Sequence, residues 1–207
     1  MTDPQAAAAA PGASPPDQPQ PIGPGTTPGP DAQLPARHRD AASPGEEIAS
    51  HYSGCYGCGA KHPCGLHMQV FAGEGLTLRA SFEVGAMHQG APGLAHGGLL
   101  TAAIDEALGA LNWLLMEPAV TARLETNFVR PVPVGTDLVL DARIVGVDGR
   151  KVYTAAIGRL GAHGPVAVTA SALFIQVGIG HFRKHGRAQE VAAAIAEGVG
   201  ARAEMNP

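Results

Sequence analysis

Between Gly97 and about Met116 the chain carries an apolar surface that nearly closes on itself. Leu99, Leu100, Ala103, Ile104, Ala107, Leu108, Leu111, Leu114 and Leu115 fill half the circumference of a helix. Ala102, Gly109, Ala110 and Trp113 fill much of the other half. A helix that is apolar nearly all round is stable only when buried, so the rest of the domain has to wrap around it. Pro118 follows its end, where a helix cannot continue.

The flanking segments supply the wrapping. Leu66, Met68 and Val70 alternate with His67 and Gln69, and Leu76, Leu78, Ala80, Phe82 and Val84 alternate with Thr77, Arg79, Ser81 and Glu83. Period two with polar partners predicts half-buried antiparallel strands, joined by a turn at Gly73 to Gly75. Four more strands are predicted after the helix, over about 120–130, 137–147, 150–160 and 166–177. Asp148-Gly149 is a strong hairpin signal between the second and third of these, and Gly161 to Pro165 marks the next turn. The expected order is two strands, one long buried helix, then an antiparallel meander: an α+β hotdog fold, with an antiparallel sheet wrapped around one central helix.

The ends of the chain read differently. Residues 1–45 are rich in Ala, Pro, Gly, Gln and Ser and too poor in large apolar side chains to offset the entropy of ordering. They are expected to be a disordered tail, within which the run Ala6 to Ala10 is too short to hold a helix alone. Residues 46–180 form the expected domain and 181–207 a helical extension. In that extension Ala192, Ile195, Ala196 and Val199 give Arg187 to Ala203 a weak apolar face.

Of the 207 residues, 45% are hydrophobic and 15% charged, with a net charge of -4. The apolar share supports a real core, and the sparse charge implies a surface that is either small or partly covered by another subunit. Mild acidity gives no electrostatic reason to expect nucleic acid or an anionic membrane as a partner. No apolar run approaches the ~18–20 residues of a membrane span, and the N-terminus lacks the pattern of a secretory signal. The expected location is cytoplasmic. Three cysteines, an odd number, do not make a self-contained disulfide framework.

The segment His88-Gln89-Gly90-Ala91-Pro92-Gly93-Leu94-Ala95-His96-Gly97-Gly98 is a Gly-rich loop running into the helix. Glycines allow a ligand to approach the backbone closely, and the first N–H groups of a helix lack intrahelical partners. They are preset to meet an anion or a developing oxyanion. Nine residues after His96 comes Asp105. At 100° per residue it shares a face with Thr101, Gly109 and Asn112, the polar sector of the helix. An ionised carboxylate is costly to bury unless paired or hydrogen-bonded. Asp105 is therefore either a working group or a structural Asp bonded to a neighbouring loop. Glu106 lies just beyond that face, near Ala102 and Trp113. It is the competing carboxylate, with a solvated or interfacial charge as its plain reading.

The string HQGAPGLAHGGLLTAAIDEALG resembles the signature of hotdog-fold acyl-CoA thioesterases of the phenylacetate-pathway (PaaI-like) family, and is also similar to the human thioesterase-superfamily members. TARLETNFVRPVPVG at 121–135 and CYGCGAKHPCGL at 55–66 match as well; the likeness covers roughly 52–178. The family often has Asn before the Pro of the cysteine motif, where this chain has His62. The resemblance implies hydrolysis of an acyl-CoA thioester to free acid and coenzyme A, without cofactor or metal. It implies roles too. Asp105 is the base or nucleophile. The Gly97 N–H polarises the carbonyl. Thr121 reaches in from a neighbouring subunit to orient water or carboxylate. Gln89 helps hold the thioester oxygen, and His96 shapes the loop. A homodimer or homotetramer with sites shared between subunits is expected.

Gly98, Arg123, Arg130 and Lys151 are candidate substrate contacts, the cations for the phosphates of coenzyme A. Arg150 is a further candidate cation, and ordinary solvated strand charges are the plain alternative for each. Cys55, Cys58 and Cys64, with His51, His62 and His67 nearby, make up a zinc-like count. With no second Cys-x-x-Cys, the expectation is no metal. Two other functions stay open on this fold. One is an acyl-thioester hydratase or dehydratase using His88 or His96. The other is a non-catalytic acyl-CoA sensor, though the tail has no DNA-binding character.

Overall fold

The computed structural model describes residues 25–196. The run Ala6 to Ala10, Val199 and the rest of residues 1–24 and 197–207 lie outside it.

Six strands make one antiparallel sheet: β1 (Gln69–Ala72), β2 (Thr77–Glu83), β3 (Ala119–Phe128), β4 (Asp137–Asp148), β5 (Lys151–Leu160) and β6 (Val166–Gln176). Their spatial order is β1-β2-β4-β5-β6-β3. The period-two reading of the sequence is visible in the burial of β2, where Leu78, Ala80 and Phe82 are buried and the residues between them are not. Asp148 pairs with Lys151, so the β4–β5 turn is Gly149-Arg150, and Gly149 takes φ 54°, a left-handed conformation that favours glycine.

The expected four-strand meander is corrected in one place. β4, β5 and β6 are sequential neighbours, but β3 pairs with β6 at the far end of the sheet. Its outer edge has no partner strand among the described residues.

The central helix α1 (Gly97–Ala110) continues as a 3-10 turn, Leu111–Leu114. Met116, at φ 57°, ends it two residues before Pro118. Ile104, Leu108, Leu111 and Leu114 are at most 1% exposed and pack with Leu138, Leu140 and Val152 of the sheet. Each fully buried Leu or Ile contributes roughly 1.5–3 kcal/mol.

Residues 25–45 do not behave as the expected tail. Gln33 and Val147 exchange both backbone hydrogen bonds. Thr26, only 5% exposed, bonds Ser171 through its hydroxyl. The Arg37 guanidinium donates to the carbonyls of Gly73, Gly75 and Ala42. Composition missed this strap because backbone pairs and one arginine hold it, not large apolar side chains.

After β6 come α2 (Ile179–His185) and α3 (Ala188–Ala196). No described helix is long and apolar enough to cross a membrane.

Candidate active site

A cavity of about 630 Å³ opens beside the middle of α1. Asp105, Gly109 and Asn112 line it from the helix, Thr121 from β3, and Phe182, Val191 and Ile195 from α2 and α3. Of the weak apolar face read in the C-terminal segment, Ile195 lines this cavity; Val191 and Ala194, outside that face, complete its roof. Tyr52 fastens that roof, its hydroxyl donating to Oε2 of Glu190 at 2.8 Å.

Asp105 is half-buried. Burial raises its pKa above the ordinary value; the Thr121 hydrogen bond opposes the rise and the Cys55 charge adds to it. The Thr121 hydroxyl donates to Oδ1 of Asp105 at 2.8 Å within one chain. This corrects the expected approach of Thr121 from a neighbouring subunit: β3 runs beside α1 in its own protomer. The other polar residues of the Asp105 face turn inward. Thr101 donates to the Gly97 carbonyl and Asn112 to the Gly109 carbonyl. Asn112 Oδ1 is buried without a partner.

The second group of expected site residues stands at the start of α1. His96 caps the helix, its Nδ1 accepting from the Gly98 N–H at 3.0 Å. Gly98 thus spends its donor on the cap. The Gly97 N–H is not among the hydrogen bonds of the described residues. Gln89 braces the loop, Oε1 accepting from the Gly93 N–H at 2.8 Å. A Cβ on Gly90 would fall 2.8 Å from the His96 backbone, so the loop folds tightly over the capping histidine.

The two groups are separated. Gly97 and Asp105 are eight residues apart, roughly 12 Å along the helix axis at ~1.5 Å per residue. Gly97, Gln89 and His96 do not line the Asp105 cavity.

The candidate phosphate contacts are dispersed as well. Arg123 pairs with Glu125 at 2.8 Å and Lys151 with Asp148 at 3.3 Å. Arg130 donates to the Val166 carbonyl. Lys151 lies across from Ile175, which pairs with Val120 near the start of β3, whereas Arg130 lies past its end. The strand between them spans roughly 30 Å at ~3.3 Å per residue, so one chain does not gather these cations around one phosphate group.

Glu106 departs furthest from the surroundings its sequence position suggests. Its side chain is 14% exposed, neither solvated nor at an open surface, and faces His51, Cys55 and Cys58. Burial first, then Cys55, push its pKa up to about 7, against the hydrogen bond from Cys58 and the charge of His51. Cys55 is held well below the ordinary thiol value, first by the hydrogen bond from Cys58, which itself moves upward. Burial works against a charge on His51, but bonding to Cys55 and the charge of Glu106 leave its pKa raised. Cys64 stays exposed. The Cys-x-x-Cys spacing was the legible signal; its carboxylate partner, some fifty residues downstream, had none.

Comparison with known proteins agrees with this fold. The Thioesterase superfamily model matches residues 92–167. Acyl-coenzyme A thioesterase THEM4 of Xenopus laevis is 32% identical over 96 residues, 46% of this chain and 43% of that protein. THEM5 of Mus musculus is 33% identical over 96 residues, 46% of this chain and 39% of that protein. The chain thus spans less than half the length of these curated relatives. A crystal structure of a thioesterase superfamily protein superposes with a TM-score of 0.57 at 26% identity, covering 66% of this chain and 70% of the other. Escherichia coli PaaI, from the phenylacetic acid degradation operon, has a TM-score of 0.51 at 16% identity over 55% of this chain and 81% of its own, a likeness of fold. Wrapped helix, Gly-rich loop and matched segment converge on one architecture: the chain has a hotdog fold, and its residues 92–167 are similar to the thioesterase superfamily.

Proposed function

We propose that this protein hydrolyses an acyl-CoA thioester, with Asp105 as base or nucleophile. One observation carries the reading: a carboxylate of raised pKa, held by the Thr121 hydroxyl, faces a largely apolar cavity of acyl-binding size. Attack at the thioester carbon, by water that has given its proton to Asp105 or by the carboxylate itself, places negative charge on the carbonyl oxygen. The Gly97 N–H, at the positive end of α1, stabilises that charge. The C–S bond then breaks and coenzyme A leaves as a thiolate, a good leaving group that needs no strong acid. Gln89 and His96 hold the loop that presents Gly97.

The reach of roughly 12 Å from Gly97 to Asp105 is too long for one thioester carbonyl group. The proposed site is therefore shared, with Asp105 and Thr121 from one protomer and Gly97, Gln89 and His96 from another. The unpaired edge of β3 offers the joint, since a free strand edge is a template for pairing. Phe128 and Val129 at its end are 55% and 51% exposed. Two copies are the smallest assembly that completes such a site. The cytoplasm is the proposed compartment, in keeping with three free cysteines.

A hydratase would need a histidine working with Asp105, and no described hydrogen bond joins the two. His88 accepts from the Gly85 N–H instead. A panel of acyl-CoA substrates tests the reading. Thiol release in step with acid formation is expected. Water addition to enoyl-CoA without thiol release would replace it with the hydratase, and tight binding without turnover would replace it with the sensor.

A further inference from the structure

Four side chains that the proposed hydrolysis does not use meet beside it. His51, Cys55 and Cys58 come from the loop before β1, and Glu106 from α1. Their donor atoms all lie within 4.8 Å of one another. Cys55 Sγ is 3.3 Å from Glu106 Oε2, Cys58 Sγ is 3.4 Å from His51 Nδ1, and that nitrogen is 3.9 Å from Glu106 Oε1. A tetrahedral ion with sulfur at ~2.3 Å and nitrogen or oxygen at ~2.0 Å has donor-to-donor edges of roughly 3.3–3.8 Å. The two separations that involve sulfur fall in that range, and the third, 3.9 Å, lies just above it.

The cluster is also short of positive charge. Two thiols and a carboxylate share one imidazole within it, in a place where an unbalanced charge is costly. The backbone is shaped around these atoms. The Gly57 N–H donates to Cys55 Sγ at 3.3 Å, a bond that favours the thiolate. A Cβ on Gly57 would fall 2.2 Å from Glu106 Oε2, and one on Gly59 would fall 2.5 Å from the Cys55 backbone. Ser50 Oγ lies 3.3 Å from Cys58 Sγ, and the His51 ring stacks against Trp113. Contacts of this kind orient the ligands of a metal.

We propose that His51, Cys55, Cys58 and Glu106 form a four-ligand site for a zinc-type divalent cation, which fastens the cysteine loop to α1 one residue from Asp105. Two sulfurs, a nitrogen and an oxygen suit zinc, whereas magnesium and calcium take oxygen ligands. Four protein donors leave no open position, which makes the site structural. As the metal–sulfur bonds form, the thiol protons pass to solvent. The expectation of no metal, drawn from the lack of a second Cys-x-x-Cys, is thereby revised: the fourth ligand is a carboxylate on the helix.

The test uses the full chain, purified with a thiol reductant. We expect close to one zinc per chain, removal of the zinc by a chelator with a fall in Tm, and recovery of Tm on adding zinc(II). Cobalt(II) bound in its place is expected to show sulfur-to-cobalt charge transfer and the intense visible bands of a tetrahedral site. Cys58→Ser and Glu106→Gln should each lose most of the zinc, and Cys64→Ser should keep it. If Cys58→Ser fails to fold, the cobalt spectrum of the wild-type chain decides. A stripped, reduced chain that takes up neither metal would overturn the proposal, as would a native Cys55–Cys58 disulfide. Full zinc retention by Glu106→Gln, with an unchanged cobalt spectrum, would overturn the four-ligand site. None of these readouts depends on thioester turnover.

Discussion

Asp105 and Glu106 are adjacent on one helix and share one cavity wall, yet their surroundings differ in kind. Asp105 meets a single hydroxyl, Thr121, and keeps one oxygen uncommitted by that bond. Glu106 meets two sulfurs and an imidazole. One step along a helix turns the side chain by about 100°, enough to move from the β3 side to the cysteine loop. Two carboxylates of similar chemistry are thus given different surroundings, and the different roles proposed for them follow from that: one faces an open cavity, the other is held by its neighbours.

The contrast is broken most directly by exchanging each acid for its amide. Asp105→Asn is nearly isosteric and should lower turnover by at least ~10²-fold with the fold intact, the loss of a catalytic base. Glu106→Gln should act mainly on stability and metal content. Initial rates on the preferred acyl-CoA, with circular dichroism on both variants, decide the matter. Normal turnover in Asp105→Asn together with loss in Glu106→Gln would reverse the two assignments.

The separation of Gly97 from Asp105 can be sharpened by complementation. In Gly97→Val a branched side chain would crowd the substrate and displace the N–H, so both this variant and Asp105→Asn should be nearly inactive alone. Mixed and reassembled, half the dimers would carry one competent site, which restores roughly a quarter of wild-type turnover for a two-fold pair. No recovery from a mixture shown to exchange subunits would place both groups in one chain, and sedimentation showing an active monomer would end the shared-site scheme.

The smallest expected effect is that of Thr121→Ala. Losing one hydrogen bond to a carboxylate should lower turnover about 10-fold, or ~1.4 kcal/mol, with little change in KM. Saturation curves are needed here: a change confined to KM would make Thr121 a substrate contact and leave Asp105 without its orienting partner.

Much of the architecture could be read from short stretches of chain. The alternation in Leu76 to Val84 and the closed apolar surface from Leu99 to Leu115 predicted elements that the fold contains, and Asp148-Gly149 lies at its hairpin. The first-turn glycines and Asp105 stood out for a similar reason, being exceptions to a local pattern. Reading failed where distance along the chain grew. A simple meander puts β3 beside β4, whereas β3 lies beyond β6. The resemblance brings Thr121 in from a neighbouring subunit, whereas it bonds Asp105 of its own chain; the sequence leaves Glu106 a solvated or interfacial charge, whereas its side chain meets two sulfurs and an imidazole.

By itself the sequence determined that one helix must be buried under antiparallel strands, and that the polar sector of this helix carries Asp105. Those properties follow from side-chain periods of two and 3.6 residues, which are set by neighbours a few positions away. Tertiary structure alone decided which strand stands at the edge, which hydroxyl reaches Asp105 and which sulfurs surround Glu106. Such pairings join residues 16 and 51 positions apart. They depend on the order and register of the whole sheet, and on which loop the packing of that sheet brings against the helix; no local period encodes either.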